Sequence, residues 1–418
     1  MLNKWYYAAI FVVFILLVVI IIWYKQREEF PGIIKVGIIH SLTGPTAVFE
    51  KQIVDTTLMA IEEINLDRGV LGKKLVPLVA DGKSDPQVFA TESERLITQE
   101  KVAVLFSGGS SLSRKKIKLI VEKYNSLLFY PHRNEGLEIS QNIVYTGSTS
   151  NQQIIPAVIW CMQNLGKYFF LVGNNLSDQN FIAEKATRQI IKDLIYAYNG
   201  TIVGEESVSP INTNINEIIK HINKTQPDVI INILEGEING RFFSALRDQG
   251  ISSDRIPTMS LNITELELAA FRIDAMIGDY GAQSYFQSLN TPTNRSFIER
   301  FKRRFGPHRL ISNAMENAYT GVYFWRNAVL RAQTTDINTV RALLSEETLV
   351  APEGVISVDK NNLHTWKPVL IGKIFPNKQF GIVYNSNSTT KPLPYPPFRS
   401  KEQWEHLMDQ WNNELAGR

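Results

Sequence analysis

The sequence predicts a two-lobed α/β protein preceded by one membrane-spanning helix. Three observations predict it: two successive sets of continuous apolar strands alternating with amphipathic helices, a length of 418 residues, and an uncharged apolar run at the N-terminus. That length exceeds one ordinary core and suits two domains.

The N-terminal run, Trp5 to Tyr24, has no charge, Pro, Gly or Asn. As a helix it would extend about 30 Å, the hydrocarbon thickness of a bilayer, with Trp and Tyr at both ends. It is longer than the apolar stretch of a cleaved signal peptide, the rival reading, and no small-residue cleavage site follows it. Residues 1–30 are therefore expected to be an inner-membrane single-pass anchor with the bilayer as a partner. Basic residues tie on its two sides, so the outward orientation of the rest rests on what that part resembles.

The first α/β set begins with strand Ile33 to Ile39, the polar turn Ser41 to Thr46, and a helix with Ile53, Thr57, Leu58, Ile61 and Ile64 at core spacing. Strand Leu75 to Val79 precedes a helix at 86–99, strand Val102 to Phe106 a helix at 114–124, and strand Leu127 to Tyr130 a loop. A second set follows Ile143-Val144-Tyr145. It comprises helix 154–164, strand Tyr168 to Gly173, a helix through Ile190 and Leu194, strand Thr201 to Val203, and helix 215–222. Strand Asp228 to Leu234, helix 239–249 and a strand near Thr258 complete it. The segment 277–383 supplies helices at 296–305, 314–332 and 337–344 but too few strands for a third α/β unit. It is expected to be shared: lobe 1 is 33–148 with parts of 277–345, and lobe 2 is 149–276 with parts of 346–396. The tail, 397–418, reads as a helix with Trp404, Leu407, Trp411 and Leu415 on one face, docking back onto the protein or covering a partner.

Composition excludes several functions. The 44 Lys and Arg nearly balance 41 Asp and Glu, and no long basic run exists, so nucleic-acid binding has no electrostatic footprint. One cysteine permits no intrachain disulfide and no Cys-rich metal site. No GxGxxG, GxxxxGK, HExxH or GxSxG pattern occurs, and the six histidines show no ligand spacing. No catalytic residue, metal or cofactor is expected.

In open parallel sheets, solutes bind beyond the carboxyl ends of strands. Five such ends are rich in hydroxyl or Gly: 41–46, 107–111, 145–150, 173–175 and 235–237. Together they would line an interlobe cleft for a small polar solute, though each alone is also ordinary turn chemistry.

Several stretches carry a resemblance: VGIIHSLTGPTA (Val36 to Ala47), KVAVLFSGGSSLSRK (Lys101 to Lys115), LLFYPHRNEG (Leu127 to Gly136), NIVYTGSTSNQQIIPAV (Asn142 to Val158), YFQSLNTPTNRSFI (Tyr285 to Ile298) and APEGVISVD (Ala351 to Asp359). Over about 33–396 the chain resembles the periplasmic urea and short-chain-amide-binding proteins of the branched-chain amino-acid receptor superfamily. That resemblance implies a two-lobed periplasmic-binding-protein-like fold, each lobe a parallel sheet flanked by helices. It implies closure around a small polar solute, presentation to an inner-membrane ABC permease, and a soluble domain facing the periplasm or cell exterior. A sensing subunit for a separate membrane partner, or an interaction module with a degenerate pocket, are the alternatives.

From the strand ends and the resemblance together, the candidate ligand residues are Ser41, Gly109, Ser110, Ser111, Tyr130, His132, Arg133, Tyr145, Gly147, Asn175, Asp178, Gly236, Glu237 and Tyr285. Aromatic residues usual in the family are replaced here by Gly109, Asn134, Leu176 and Asp178. The expected result is a larger, more polar pocket in which His132, Arg133 and Asp178 accept a carboxylate and an ammonium group; retained urea or amide binding is the alternative.

Overall fold

The computed structural model describes residues 11–16, 30–174, 181–208 and 214–416. Among them no helix is long and apolar enough to cross a membrane. This overturns the expected single-pass anchor. Of Trp5 to Tyr24 only 11–16 is described, a helix of six residues that reaches about 9 Å; the remainder of that segment lies outside the described residues. The membrane-spanning helix, the signal anchor, the bilayer as partner and the inner-membrane location are withdrawn with it. Apolarity and length in sequence were the whole basis for that expectation.

The first sheet has the order β2-β1-β3-β4-β5 and is parallel throughout. Its strands are β1 (Ile33–His40), β2 (Lys74–Asp81), β3 (Leu105–Ser107), β4 (Leu128–Tyr130) and β5 (Ile143–Tyr145). The crossovers are α1 (Ala47–Leu66), α2 (Pro86–Thr98) and α3 (Ser111–Lys123). Val36, Ile38, Leu105, Phe106, Leu128 and Val144 are buried, as strands covered on both faces must be. Helix starts are chemically marked. The Asp85 side chain accepts from the N–H groups of Gln87 and Val88 ahead of Pro86, and Ser110 Oγ accepts from Ser113 N.

The second sheet has the order β15-β14-β10-β9-β8-β6-β7. Strands β6 (Tyr168–Asn174), β7 (Thr201–Val208), β8 (Val229–Asn232), β9 (Thr258–Ser260) and β10 (Tyr280–Gln283) are parallel. Helix α4 (Ile154–Asn164) leads into β6, and between the strands run α5 (Phe181–Ala197), α6 (Ile215–Thr225), α7 (Ile238–Asp248) and α8 (Glu265–Ala270). The antiparallel pair β14 (Leu370–Ile374) and β15 (Phe380–Asn385) extends the edge at β10, so this sheet is mixed rather than parallel.

Between β10 and β14 the chain returns to the first lobe. There α9 (Pro292–Phe305) ties to α1 through Arg300–Glu63 and Arg304–Glu62, and α10 (Asn313–Ala332) packs along α1. Helix α11 (Ile337–Leu344) lies on α10, and the small sheet β11 (Thr348–Ala351), β12 (Gly354–Val358) and β13 (Thr365–Trp366) bridges to β5 at His364. Three passages thus join the lobes. They are pinned by buried amides: Gln153 Nε2 donates to the Leu261 and Ala282 carbonyls at 2.8 and 2.6 Å, and Gln152 Nε2 to those of Thr365 and Thr390 at 2.9 and 2.8 Å. The last helix, α12 (Lys401–Ala416), docks on α5 with Trp404 and Trp411 buried.

Candidate functional site

The strand ends of the first lobe are organised by two buried charge networks. In one, Arg114 of α3 donates from Nη2 to Glu135 Oε1 at 2.9 Å and from Nε to Glu138 Oε1 at 3.1 Å. Ser111 Oγ donates to the same Glu135 oxygen at 2.6 Å, and the Tyr145 hydroxyl to Glu138 Oε1 at 2.6 Å. The Arg114 guanidinium also covers the Tyr130 ring, 5.1 Å from its centroid. Burial alone would raise the Glu135 carboxyl, but Arg114, Lys115 and the Ser111 hydroxyl outweigh it and hold the group at about 2.

In the second network Glu50, buried in the first turn of α1, lies between two imidazoles. His40 Nδ1 is 2.5 Å from Glu50 Oε2, and His132 Nε2 is 2.8 Å from Glu50 Oε1. Burial opposes the Glu50 charge, yet His132 and His40 draw its carboxyl far below the usual range. Gly109 N also donates to Glu50 Oε1 at 3.3 Å.

The expected ligand residues therefore divide. Tyr130, Ser111 and Tyr145 are buried and engaged within lobe 1; Tyr145 in addition stacks on His364 with centroids 3.9 Å apart. Tyr285 is fully buried and donates to Asn294 Oδ1 at 2.8 Å. Ser41 is buried and accepts from Ser84 N at 3.0 Å. Gly147 runs against the His132 carbonyl, 1.9 Å from where a Cβ would lie, so no side chain fits there. Ser110 and Gly109, half-buried, open α3, and Gly236 and Glu237 open α7. Asn175 and Asp178, with Leu176, lie outside the described residues.

Arg133 is the member of this set that reaches the other lobe. Its Nε donates to Asn262 Oδ1 at 2.8 Å, and Nη2 is 3.7 Å from Glu235 Oε1. Asn262 is held in turn by donating to the Ile233 and Leu234 carbonyls, at 2.8 and 3.3 Å.

Two aromatic replacements do not open space. Asn134 is buried, and its side chain accepts from Gly136 N at 3.0 Å. At Gly109, with φ +87°, a Cβ would come within 2.8 Å of the Phe89 ring, which already fills that volume.

Sequence reading missed Glu50, His40 and Asn262, and reached Glu235 only as part of the 235–237 loop. One signal was present: Glu50 falls on the same stripe as Ile53, Thr57 and Ile61, a carboxylate on the buried face of α1. The convergence of His40, Glu50 and His132 had no such signal, because three different elements supply them.

Residues 34–401 match the family described as periplasmic binding protein domain. Among solved structures, the chain is similar to the ABC-transporter solute-binding protein of Rhodopseudomonas palustris BisB5 in complex with 3,4-dihydroxybenzoic acid. The TM-score is 0.76 at 20% identity, covering 86% of this chain and 99% of that one. It is also similar to a leucine-binding protein of Thermotoga maritima MSB8, with TM-score 0.72 at 17% identity over 84% and 98% of the two chains. Such identities speak for the fold alone. Sequence relatives are local matches. Limonene hydroxylase of Geobacillus stearothermophilus is 32% identical over 148 residues, 33% of this chain and 26% of that protein. The Leu/Ile/Val-binding protein BraC3 of Rhizobium johnstonii is 33% identical over 64 residues, 15% of this chain and 17% of that protein. The chain thus spans about a quarter or less of the length of these two relatives. The match over 34–401 covers most of the sequence and agrees with the two-lobed architecture, and this chain belongs to the periplasmic binding protein family, a non-catalytic class of solute-binding proteins.

Proposed function

We propose that this protein closes around a small polar solute bearing a carboxylate and an ammonium group, and presents it to an ABC permease. The observation that carries this reading is Arg133, a guanidinium from lobe 1 that faces the Glu235 carboxylate and the Asn262 amide of lobe 2. A solute entering between them meets a cation for its carboxylate and an anion for its ammonium, each on a different lobe. It therefore favours the closed arrangement by contacting both sides, which is what a differential affinity for two hinge states requires. The half-buried start of α3 at Gly109 and Ser110 adds a helix N-terminus suited to the carboxylate. Family membership supports delivery to a permease.

The urea and amide resemblance supplies the competing ligand class. Urea has four heavy atoms, so its affinity is bounded near tens of micromolar. Calorimetry and thermal shift on the purified chain, with amino acids in one arm and urea, acetamide and formamide in the other, test the reading. One-to-one binding in the amino-acid arm, weakened at least ~10-fold by Arg133→Ala, is expected. Binding confined to the amide arm, or an Arg133→Ala variant that binds amino acids as the parent does, would sink it.

A further inference from the structure

Glu50 and its two histidines converge on one point beside Gly108. His40 is the last residue of β1, Glu50 stands in the first turn of α1, and His132 follows β4 by two residues. One ligand-type atom from each lies within 4.8 Å of the other two. Gly108, at the end of β3, faces all three. A Cβ built on it would lie 2.6 Å from Glu50 Oε2, 2.7 Å from His132 Nε2 and 2.7 Å from His40 Cε1. A side chain at Gly108 would therefore collide with all three groups at the point where they converge.

Each histidine keeps one buried ring nitrogen without an aligned hydrogen bond. His40 Nε2 has no hydrogen-bond partner although the residue is 1% exposed. His132 Nε2 is close to Glu50 but not aligned as a hydrogen bond to it. A purely structural ion-pair network would not leave ring nitrogens unpaired, because burying a nitrogen without a partner is destabilising.

We propose that His40, Glu50 and His132 form a binding site for a divalent transition-metal ion of the zinc class, with Gly108 providing its space. Two imidazoles and a carboxylate suit Zn²⁺ or Co²⁺; Ca²⁺ and Mg²⁺ prefer all-oxygen shells. Ligand atoms around such an ion stand roughly 3.3 Å apart, from bond lengths of about 2.0–2.2 Å. The Glu50 contacts of 2.5 and 2.8 Å must therefore widen as the ion enters. His132, with its side chain 26% exposed on a loop, can withdraw from Glu50, and the Glu50 side chain must turn away from His40, which is fixed in β1. Three protein ligands leave a fourth position for water or a donor atom of a solute.

The test uses the full chain, stripped with chelator and titrated with Zn²⁺ or Co²⁺ alone, so it does not depend on any solute. One ion per chain by calorimetry, with a visible Co²⁺ ligand-field band of the tetrahedral type, is expected. His132→Ala should weaken binding at least ~100-fold while leaving the thermal transition cooperative. Gly108→Ala keeps all three ligands and should block the ion by filling its place. No binding to the stripped parent at 100-fold excess of metal, or unchanged binding by either variant, would overturn the site. Should Gly108→Ala fail to fold, His132→Ala decides alone.

Discussion

Both lobes hold a buried arginine–glutamate pair near the ends of their strands, and the two pairs sit in opposite electrostatic balance. In the first lobe, Glu135 faces Arg114, Lys115 and the Ser111 hydroxyl, and its carboxyl is held at about 2. In the second, Glu184 shares Arg188 with Glu205, and burial aided by Glu235 pushes its carboxyl up to about 7 in spite of Arg188. The same two residue types give a firmly ionised carboxylate in one place and a readily protonated one in the other. What differs is the count of cations against anions within a low-dielectric region. Glu135 is thus ionised in advance of any ligand, whereas the raised Glu184 carboxyl is open to protonation near neutral pH.

The comparison breaks most visibly at Glu135. Replacing it with Gln should cost about 3–5 kcal/mol at pH 7, because Arg114 is left buried without its principal counter-charge; denaturant unfolding measures this, and a loss below 1 kcal/mol would contradict the described network. Linkage gives the next effect. The Glu135 carboxyl is depressed in the fold, so its stabilisation is complete above about pH 4.5 and is lost as pH falls toward 2. Glu184 is raised, so its contribution is present below about pH 4.5 and is lost as pH rises through 7, at roughly 1.4 kcal/mol per pH unit. Stability profiles of Glu184→Gln and the parent should therefore diverge between about pH 4.5 and 7, the variant lacking that decline; parallel profiles would refute the assignment.

A smaller effect is expected on the accessible side of the cleft. Glu235, with its side chain 47% exposed, should tolerate Glu235→Gln with a stability change within about 0.5 kcal/mol. Solute affinity should nevertheless fall about 10-fold if it receives an ammonium group. Calorimetry beside a denaturation curve separates the two readouts. Smallest of all is the Glu62–Arg304 pair that ties α9 to α1. About half of each side chain is exposed, and Arg304→Ala should cost under about 1 kcal/mol by thermal unfolding.

Much of the fold was legible residue by residue. Strand Ile33 to Ile39, the helix from Ile53 to Ile64 and the strand from Tyr168 to Gly173 follow from local periodicity and lie within β1, α1 and β6. Strand 102–106 was placed too early: β3 is Leu105–Ser107, and Val102 precedes it buried against α2. Apolar content alone does not separate a strand from the buried turn leading into it. The antiparallel addition of β14 and β15 was not legible either, since pairing partners depend on which edge is free. At the site, the Ser and Gly loops were visible, but Ser111, Tyr130, Tyr145 and Tyr285 proved to be engaged inside the protein. Composition shows that a hydroxyl is present; only its neighbours show whether it is already used.

By itself, the sequence determined the alternation of strands and helices and the near-neutral charge. These are local properties, set within a few residues by backbone sterics, side-chain period and hydrogen-bond capping. Tertiary structure alone decided that His40, Glu50 and His132 meet over Gly108, and that Arg133 crosses to Glu235 and Asn262. Those meetings depend on strands β1, β3 and β4 lying side by side and on the lobes facing each other, and no local pattern encodes contacts between segments that far apart in the chain.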